Sequence, residues 1–159
     1  MASTVDFVFS AVDMTKDEIR AIEEAYAKTE TPVMSNNSAH RWTPDVPMVI
    51  PEINIDHFDV IEDQKKRLGT TRGFIAVKPN CSIQSYAPVL TAWMEFEPTE
   101  VVATTYQAIS GAGKTFQDWP EMVENIILIS AARRRRVSRS RFGSGVRCVT
   151  ERLRKHLHR

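Results

Sequence analysis

Cys81 is the first residue to consider for chemistry. It stands in Lys78-Pro79-Asn80-Cys81-Ser82, after the apolar run GFIAV and at the start of a helical pattern. Asn80 is a favoured N-cap type. A thiol in the first turn of a helix lies among backbone N–H groups without intrahelical partners, at the positive end of the helix dipole. Both favour the thiolate, the reactive form. Pro79 stiffens the approach, so this strand-to-helix turn can present a nucleophile. The competing reading is an inert core thiol, because unpaired cysteines are commonly buried.

A second motif, AISGAGKT at 108–115, follows a strand pattern and fits a relaxed G-x-x-x-x-G-K-[ST] loop with Ala at the first glycine. A phosphate-cradling loop should open directly into a helix. Here Phe116-Gln117-Asp118-Trp119-Pro120 follows, and Pro120 cannot sit in a helix beyond its first turn. The glycines instead suit close approach of backbone to a substrate or cofactor. A third group is the turn SNNSAHR, carrying Asn36, Asn37, His40 and Arg41. Such a cluster is ordinarily a solvated loop, although Arg41 can grip a phosphate or carboxylate with two N–H groups. His40, His57, His156 and His158 have no metal-ligand spacing with cysteines or carboxylates, so no metal is expected.

These residues need elements to position them. VDFVFSAV at 5–12 reads as a buried strand, and 14–28 as a helix with Thr15 as N-cap and Ile19, Ile22 and Ala25 at helical spacing. Thr31–Met34 reads as a strand, and the proline-punctuated WTPDVPMVIPEIN leaves room for only a short one at Met48–Ile50. A short helix with a basic loop at His57–Arg67 and a strand at 73–77 follow. After them come a helix at Ser82–Met94, with Ile83, Tyr86, Ala87, Leu90 and Met94 on one face, and a strand at Glu100–Gln107. Trp119–Ile129 reads as a last helix. Strands alternating with helices predict an α/β fold with a largely parallel sheet.

The chain of 159 residues is one domain's worth, with 42% hydrophobic and 26% charged residues, which excludes wholly disordered and membrane classes. No secretory signal is visible, and two cysteines, Cys81 and Cys148, make a disulfide framework unlikely to be the organising device; a reducing cytoplasm is the expected compartment. The net charge of +1 hides an asymmetry. Residues 131–159 hold eleven of the 21 Lys and Arg but one of the 20 Asp and Glu, a net +10 tail on a net −9 body. The tail invites a nucleic-acid reading through phosphate contacts. It holds only Phe142 as an aromatic, so base stacking is poorly supported and nucleic acid is not the expected partner. A short basic helix is conceivable at Val149–Leu157.

Taken together and in this order, FVFSAV, PVMSNNSAHR, DVPMVIPEIN, VKPNCS and TYQAISGAG resemble the aspartate-semialdehyde dehydrogenase family, over roughly residues 5–129. The resemblance implies the later part of a Rossmann-like dinucleotide-binding domain at 1–80. It implies the start of an α+β catalytic and dimerisation domain at 81–129, and an arginine-rich, disordered or non-native tail at 130–159. It implies Cys81 as the nucleophile that forms an acyl-thioester, with Gln107 orienting the substrate. Arg41 would bind the substrate phosphate, with Asn80 setting the nucleophile's turn. Ser10 and Ala11 would lie in the loop after a central strand of the cofactor domain. Ser110, Gly111, Ala112 and Gly113 would lie near the nicotinamide end. The implied cofactor is NADP, the substrate a small acyl phosphate or aldehyde on the route to lysine, threonine and methionine, and the assembly a homo-oligomer without membrane attachment. Related acyl-phosphate and acyl-CoA reductases, such as N-acetyl-glutamyl-phosphate reductase, are the alternative.

The sequence departs from the family in two ways. No G-x-G-x-x-G occurs, and no segment matches the family's substrate-carboxylate arginine or acid/base histidine, so the chain alone is expected to be inactive. At the seam, Ser130-Ala131-Ala132-Arg133-Arg134 stands where relatives often carry Gly-Gly-Glu-Glu-Glu-Lys; glycine and glutamate codons read one base out of phase give Ala-Ala-Arg-Arg. The expectation is a shifted reading frame from about residue 128 onward.

Overall fold

The computed structural model describes residues 4–103, 108–125 and 151–154. The chain divides into two compact units, Met1–Ala92 and Trp93–Arg159.

The first unit is built on a parallel sheet of β1 (Val8–Ser10), β2 (Val33–Ser35) and β3 (Ile75–Val77), in that spatial order. Val8 aligns with Val33 and Val33 with Ile75. The strands are shorter than the apolar runs that predicted them. At Met48 only one parallel bridge, to Val77, replaces the expected strand at Met48–Ile50. Proline accounts for this: Pro47 has no N–H to offer, and Pro51 at the next helix's start turns the chain away.

Helix α1 (Lys16–Ala27) starts at a capping box. Thr15 Oγ1 accepts from the Glu18 N–H, and the Glu18 carboxylate accepts from the Thr15 N–H at 3.0 Å. Its buried stripe is Ile19, Glu23 and Ala27, not the expected Ile19, Ile22 and Ala25; Ile22 is half-buried and Ala25 exposed. A carboxylate thus lies where an apolar side chain is the rule. A short α2 (Pro51–Asn54) and a 3-10 turn (Ile55–Val60) lead into α3 (Ile61–Leu68), which ends at Gly69 with φ 72°. Only glycine adopts that conformation without strain.

Ala27, Val33, Val46, Leu68, Ile75 and Val77 form the core, with Tyr26 and Met48 packed against it. The outer edge of β3 is closed without a further strand. The fully buried Gln64 of α3 donates from Nε2 to the carbonyls of Asp45 (2.8 Å) and Ile75 (2.9 Å), and its Oε1 accepts from the Ile75 N–H at 2.6 Å. Further along the same edge, Val77 donates to the Pro47 carbonyl and Val49 to the Val77 carbonyl. A second lock joins α1 to the start of β3. Glu30, at φ 61°, accepts the backbone N–H groups of Thr71, Arg72 and Gly73.

Helix α4 (Cys81–Ala92) begins one residue before the expected start and contains Pro88. Its proposed apolar face is not a core face: no residue of α4 is buried, and Ile83 is exposed. Met94 lies beyond it, in a 3-10 turn at Met94–Phe96.

In the second unit β4 (Glu100–Ala103) pairs antiparallel with β5 (Glu151–Arg154), Glu100 opposite Arg154. The basic helix considered for Val149–Leu157 is therefore not formed where the tail is described. The helix expected at Trp119–Ile129 is also absent from its described part. A 3-10 turn at Pro120–Met122 gives way to extended Val123 and to Glu124 at φ 54°. Residues 126–129 lie outside the described residues.

Candidate active site at the carboxyl edge of the sheet

In a parallel sheet all strands end on one edge, and ligands of open α/β folds bind beyond that edge. The loops leaving β1, β2 and β3 carry, in turn, Ser10 and Ala11, then Asn36–Arg41, then Lys78–Cys81. Four bonds stitch these loops together. The Asn36 N–H donates to the Ser10 carbonyl (2.8 Å), and Asn37 Nδ2 to Ser10 Oγ (3.2 Å). The Lys78 N–H donates to the Ser35 carbonyl (3.1 Å), and Arg41 Nε to the Lys78 carbonyl (3.1 Å). Arg41 is thereby fixed against the turn that leads to Cys81.

Cys81 is the first residue of α4 and is exposed, so it is not a core thiol. Asn80 Oδ1 accepts from the Ser82 N–H at 2.9 Å, and the Asn80 carbonyl accepts from Gln84. Gln84 Nε2 reaches back to the Pro79 carbonyl at 3.1 Å. The turn is braced from both sides while the thiol stays accessible.

Ser10 is buried, Ala11 exposed, and Arg41 and Asn80 half-buried. The loop after β2 is not the solvated turn its composition suggests, because Ala39 and His40 are both buried. Glu23 Oε1 accepts from Ser35 Oγ at 2.6 Å and lies 3.4 Å from Asn37 Nδ2. Arg20 Nε holds the Ala39 carbonyl at 3.0 Å. Sequence reasoning missed Glu23, and placed His40 in a loop read as ordinarily solvated, where the structure buries it. The available signal was the spacing of Glu23 from Ile19 and Ala27, which places a carboxylate on the stripe of α1 that faces the sheet.

Ser110, Gly111 and Ala112 lie in the 3-10 turn Ile109–Ala112, which Gly113 closes at φ 67°. They belong to the second unit. Gln107 lies outside the described residues. After the glycine turn, Thr115 and Asp118 bond to each other in a tight turn, the Thr115 N–H to Asp118 Oδ2 at 2.9 Å. No helix opens there to cradle a phosphate. Among the described residues no group of three or more His, Cys, Asp or Glu could hold a metal ion, and no helix is long and apolar enough to cross a membrane.

At this edge Ser10 is buried at the end of β1, Ala11 beyond it is exposed, and Arg41 lies on the neighbouring loop. A parallel sheet with crossover helices and ligand loops at its carboxyl edge defines the Rossmann-like, nucleotide-binding class. Residues 1–61 match the family described as semialdehyde dehydrogenase, NAD binding domain. Through this domain the chain is similar to the semialdehyde dehydrogenases, and over more of its length to the aspartate-semialdehyde dehydrogenases. It is 42% identical over 108 residues to an aspartate-semialdehyde dehydrogenase of Archaeoglobus fulgidus, covering 68% of this chain and 31% of the relative. It is 38% identical over 110 residues to a malonyl CoA reductase (NADP) of Metallosphaera sedula, covering 69% and 30%. The structure of aspartate semialdehyde dehydrogenase with NADP from Candida albicans superposes with a TM-score of 0.60 at 30% identity, over 80% of this chain and 36% of that one. The chain thus spans about a third of the length of the curated relatives it matches.

Proposed function

We propose that this chain carries the nucleophile and part of the nucleotide site of an NADP-dependent reductase of acyl phosphates, with aspartyl phosphate as substrate and aspartate semialdehyde as product. One observation carries the reading: an exposed thiol begins a helix at the carboxyl edge of the sheet, beside a loop whose arginine is anchored to the same turn.

The Cys81 sulfur, as thiolate, attacks the acyl carbon; the new C–S bond forms as the C–O bond to phosphate breaks, and phosphate leaves with the electron pair. Arg41 neutralises the phosphate in the bound substrate and as it departs. In this scheme the remaining backbone N–H groups at the start of α4 would stabilise the negative charge that develops on the acyl oxygen. A nicotinamide bound here would supply the hydride that the thioester carbon needs. Cys81 then leaves as thiolate and the aldehyde is released. In this scheme Gln107 orients the substrate, Ser10 and Ala11 line the cofactor, and Ser110, Gly111, Ala112 and Gly113 approach the nicotinamide. By the resemblance, the whole protein is proposed to act as a homo-oligomer in the cytoplasm.

The second reading, an acyl-CoA substrate, is favoured by the similarity to the malonyl CoA reductase. Protection of Cys81 from iodoacetamide separates the two. Inorganic phosphate should slow alkylation, and Arg41→Ala should abolish that protection. Protection by coenzyme A but not by phosphate would replace the acyl-phosphate reading with the acyl-CoA one.

A further inference from the structure

Among the described residues, two buried side-chain atoms lack a hydrogen-bond partner: Glu23 Oε2 and His40 Nε2. They face each other at 3.9 Å, on side chains only 1% and 2% exposed. Stranding either atom away from water costs free energy, and the two vacancies are complementary if the imidazole proton sits on Nε2. The other ring nitrogen agrees with this. His40 Nδ1 lies 3.2 Å from Thr43 Oγ1, whose hydroxyl can donate to a bare Nδ1. The opposite tautomer would aim a nitrogen lone pair at a carboxylate oxygen. Burial holds the imidazole below its usual pKa, against the pull of Glu23 and Glu24 and with Arg20 nearby, so the ring is neutral near pH 7.

The same carboxylate holds the rest of the loop. Its Oε1 accepts from Ser35 and Asn37, and Asn37 in turn donates to Ser10. Arg41 follows His40 directly and reaches the carbonyl before Pro79. We propose that Glu23 is the positioning residue of the Asn36–Arg41 loop: it fixes His40 as the Nε2–H tautomer and Asn37 against Ser10, so that the loops after all three strands keep one geometry. The bearing of this device on cofactor binding rests on the function proposed above; the positioning itself does not.

The test uses the ¹⁵N-labelled chain at pH 7, with Glu23→Gln and Glu23→Ala. In the unaltered chain, His40 should carry its proton on Nε2. In Glu23→Gln the carboxamide keeps its acceptor toward Ser35 and Asn37 but turns an N–H toward Nε2, so the His40 proton should move to Nδ1 and the loop should stay ordered. In Glu23→Ala, exchange of the Asn36 and Asn37 amides should rise roughly tenfold relative to those of α3. NADP-induced shifts at Ser10 and Ala11 should survive in Glu23→Gln and vanish in Glu23→Ala. An Nδ1–H or doubly protonated His40 in the unaltered chain, or a tautomer unmoved by Glu23→Gln, overturns the proposal even if Glu23→Ala does not fold. Absence of NADP-induced shifts in the unaltered chain counts against the cofactor reading alone, because tautomer and exchange still decide the positioning role.

Discussion

Replacing Gln64 with leucine tests how the β3 edge is closed. Leucine nearly matches the glutamine in volume and is apolar, so packing and transfer alone would make Gln64→Leu neutral or slightly favourable. The structure says otherwise. The carboxamide is fully buried and serves three backbone groups: the Ile75 N–H, the Ile75 carbonyl and the Asp45 carbonyl. Each group left without a partner costs about 1–3 kcal/mol. Three such losses, less about 1 kcal/mol for the gain in apolar burial, leave a net cost of about 2–8 kcal/mol. That is a large part of the roughly 5–15 kcal/mol that holds a domain folded. Gln64→Glu keeps the acceptor for the Ile75 N–H but sets a carboxylate oxygen against two carbonyls, so it should be worse at pH 7 and partly relieved when acid protonates it. Urea melts followed by far-ultraviolet circular dichroism supply the numbers, with the m-value checked for constancy. A Gln64→Leu variant within about 1 kcal/mol of the unaltered chain would refute the view that a side chain does a strand's work here.

Other outcomes follow from the same geometry. Gly73→Ala should destabilise by at least about 2 kcal/mol in the same melts, because backbone crowding of this kind cannot be relieved by a rotamer change; the added Cβ would fall 1.8 Å from the Ala27 carbonyl oxygen. The backbone N–H groups of Arg72, Gly73 and Thr71 hold the Glu30 carboxyl down to about 2, from 4.5. A depressed carboxylate stabilises the fold above its unfolded pKa, so this contribution is full above about 4.5 and is lost as pH falls towards about 2. Glu30→Gln should therefore flatten the acid limb of a stability–pH curve, and an unchanged limb would contradict the clamp. Thr15→Ala removes half of the capping box and should cost about 1 kcal/mol, with Thr15→Ser restoring most of it.

The elements legible in the sequence were those whose signals are local. Thr15 announces the start of α1, and the runs around Phe9, Met34 and Ala76 the parallel strands. Asn80 ahead of Cys81 announces a strand-to-helix turn, and the thiol does open α4. What was not legible depends on tertiary partners. Glu23 reads as a surface carboxylate until Ser35, Asn37 and His40 surround it. Gln64 reads as one polar residue of a charged helix until the β3 edge is seen to need its amide. Met48–Ile50 has a strand's composition, but the flanking prolines limit it to one bridge. The apolar pattern of Ser82–Met94 is helical without being buried, because periodicity reports a face and not what covers it.

The proposed chemistry requires Cys81 to accept an acyl group. The direct measurement is mass spectrometry of the chain after brief exposure to β-aspartyl phosphate, with peptide mapping and a Cys81→Ser control. The predicted result is one aspartyl group bound as a thioester to Cys81, removable by hydroxylamine and absent from the control. An adduct on Cys148 or on lysines alone, or no adduct while Cys81 remains accessible to iodoacetamide, would contradict it.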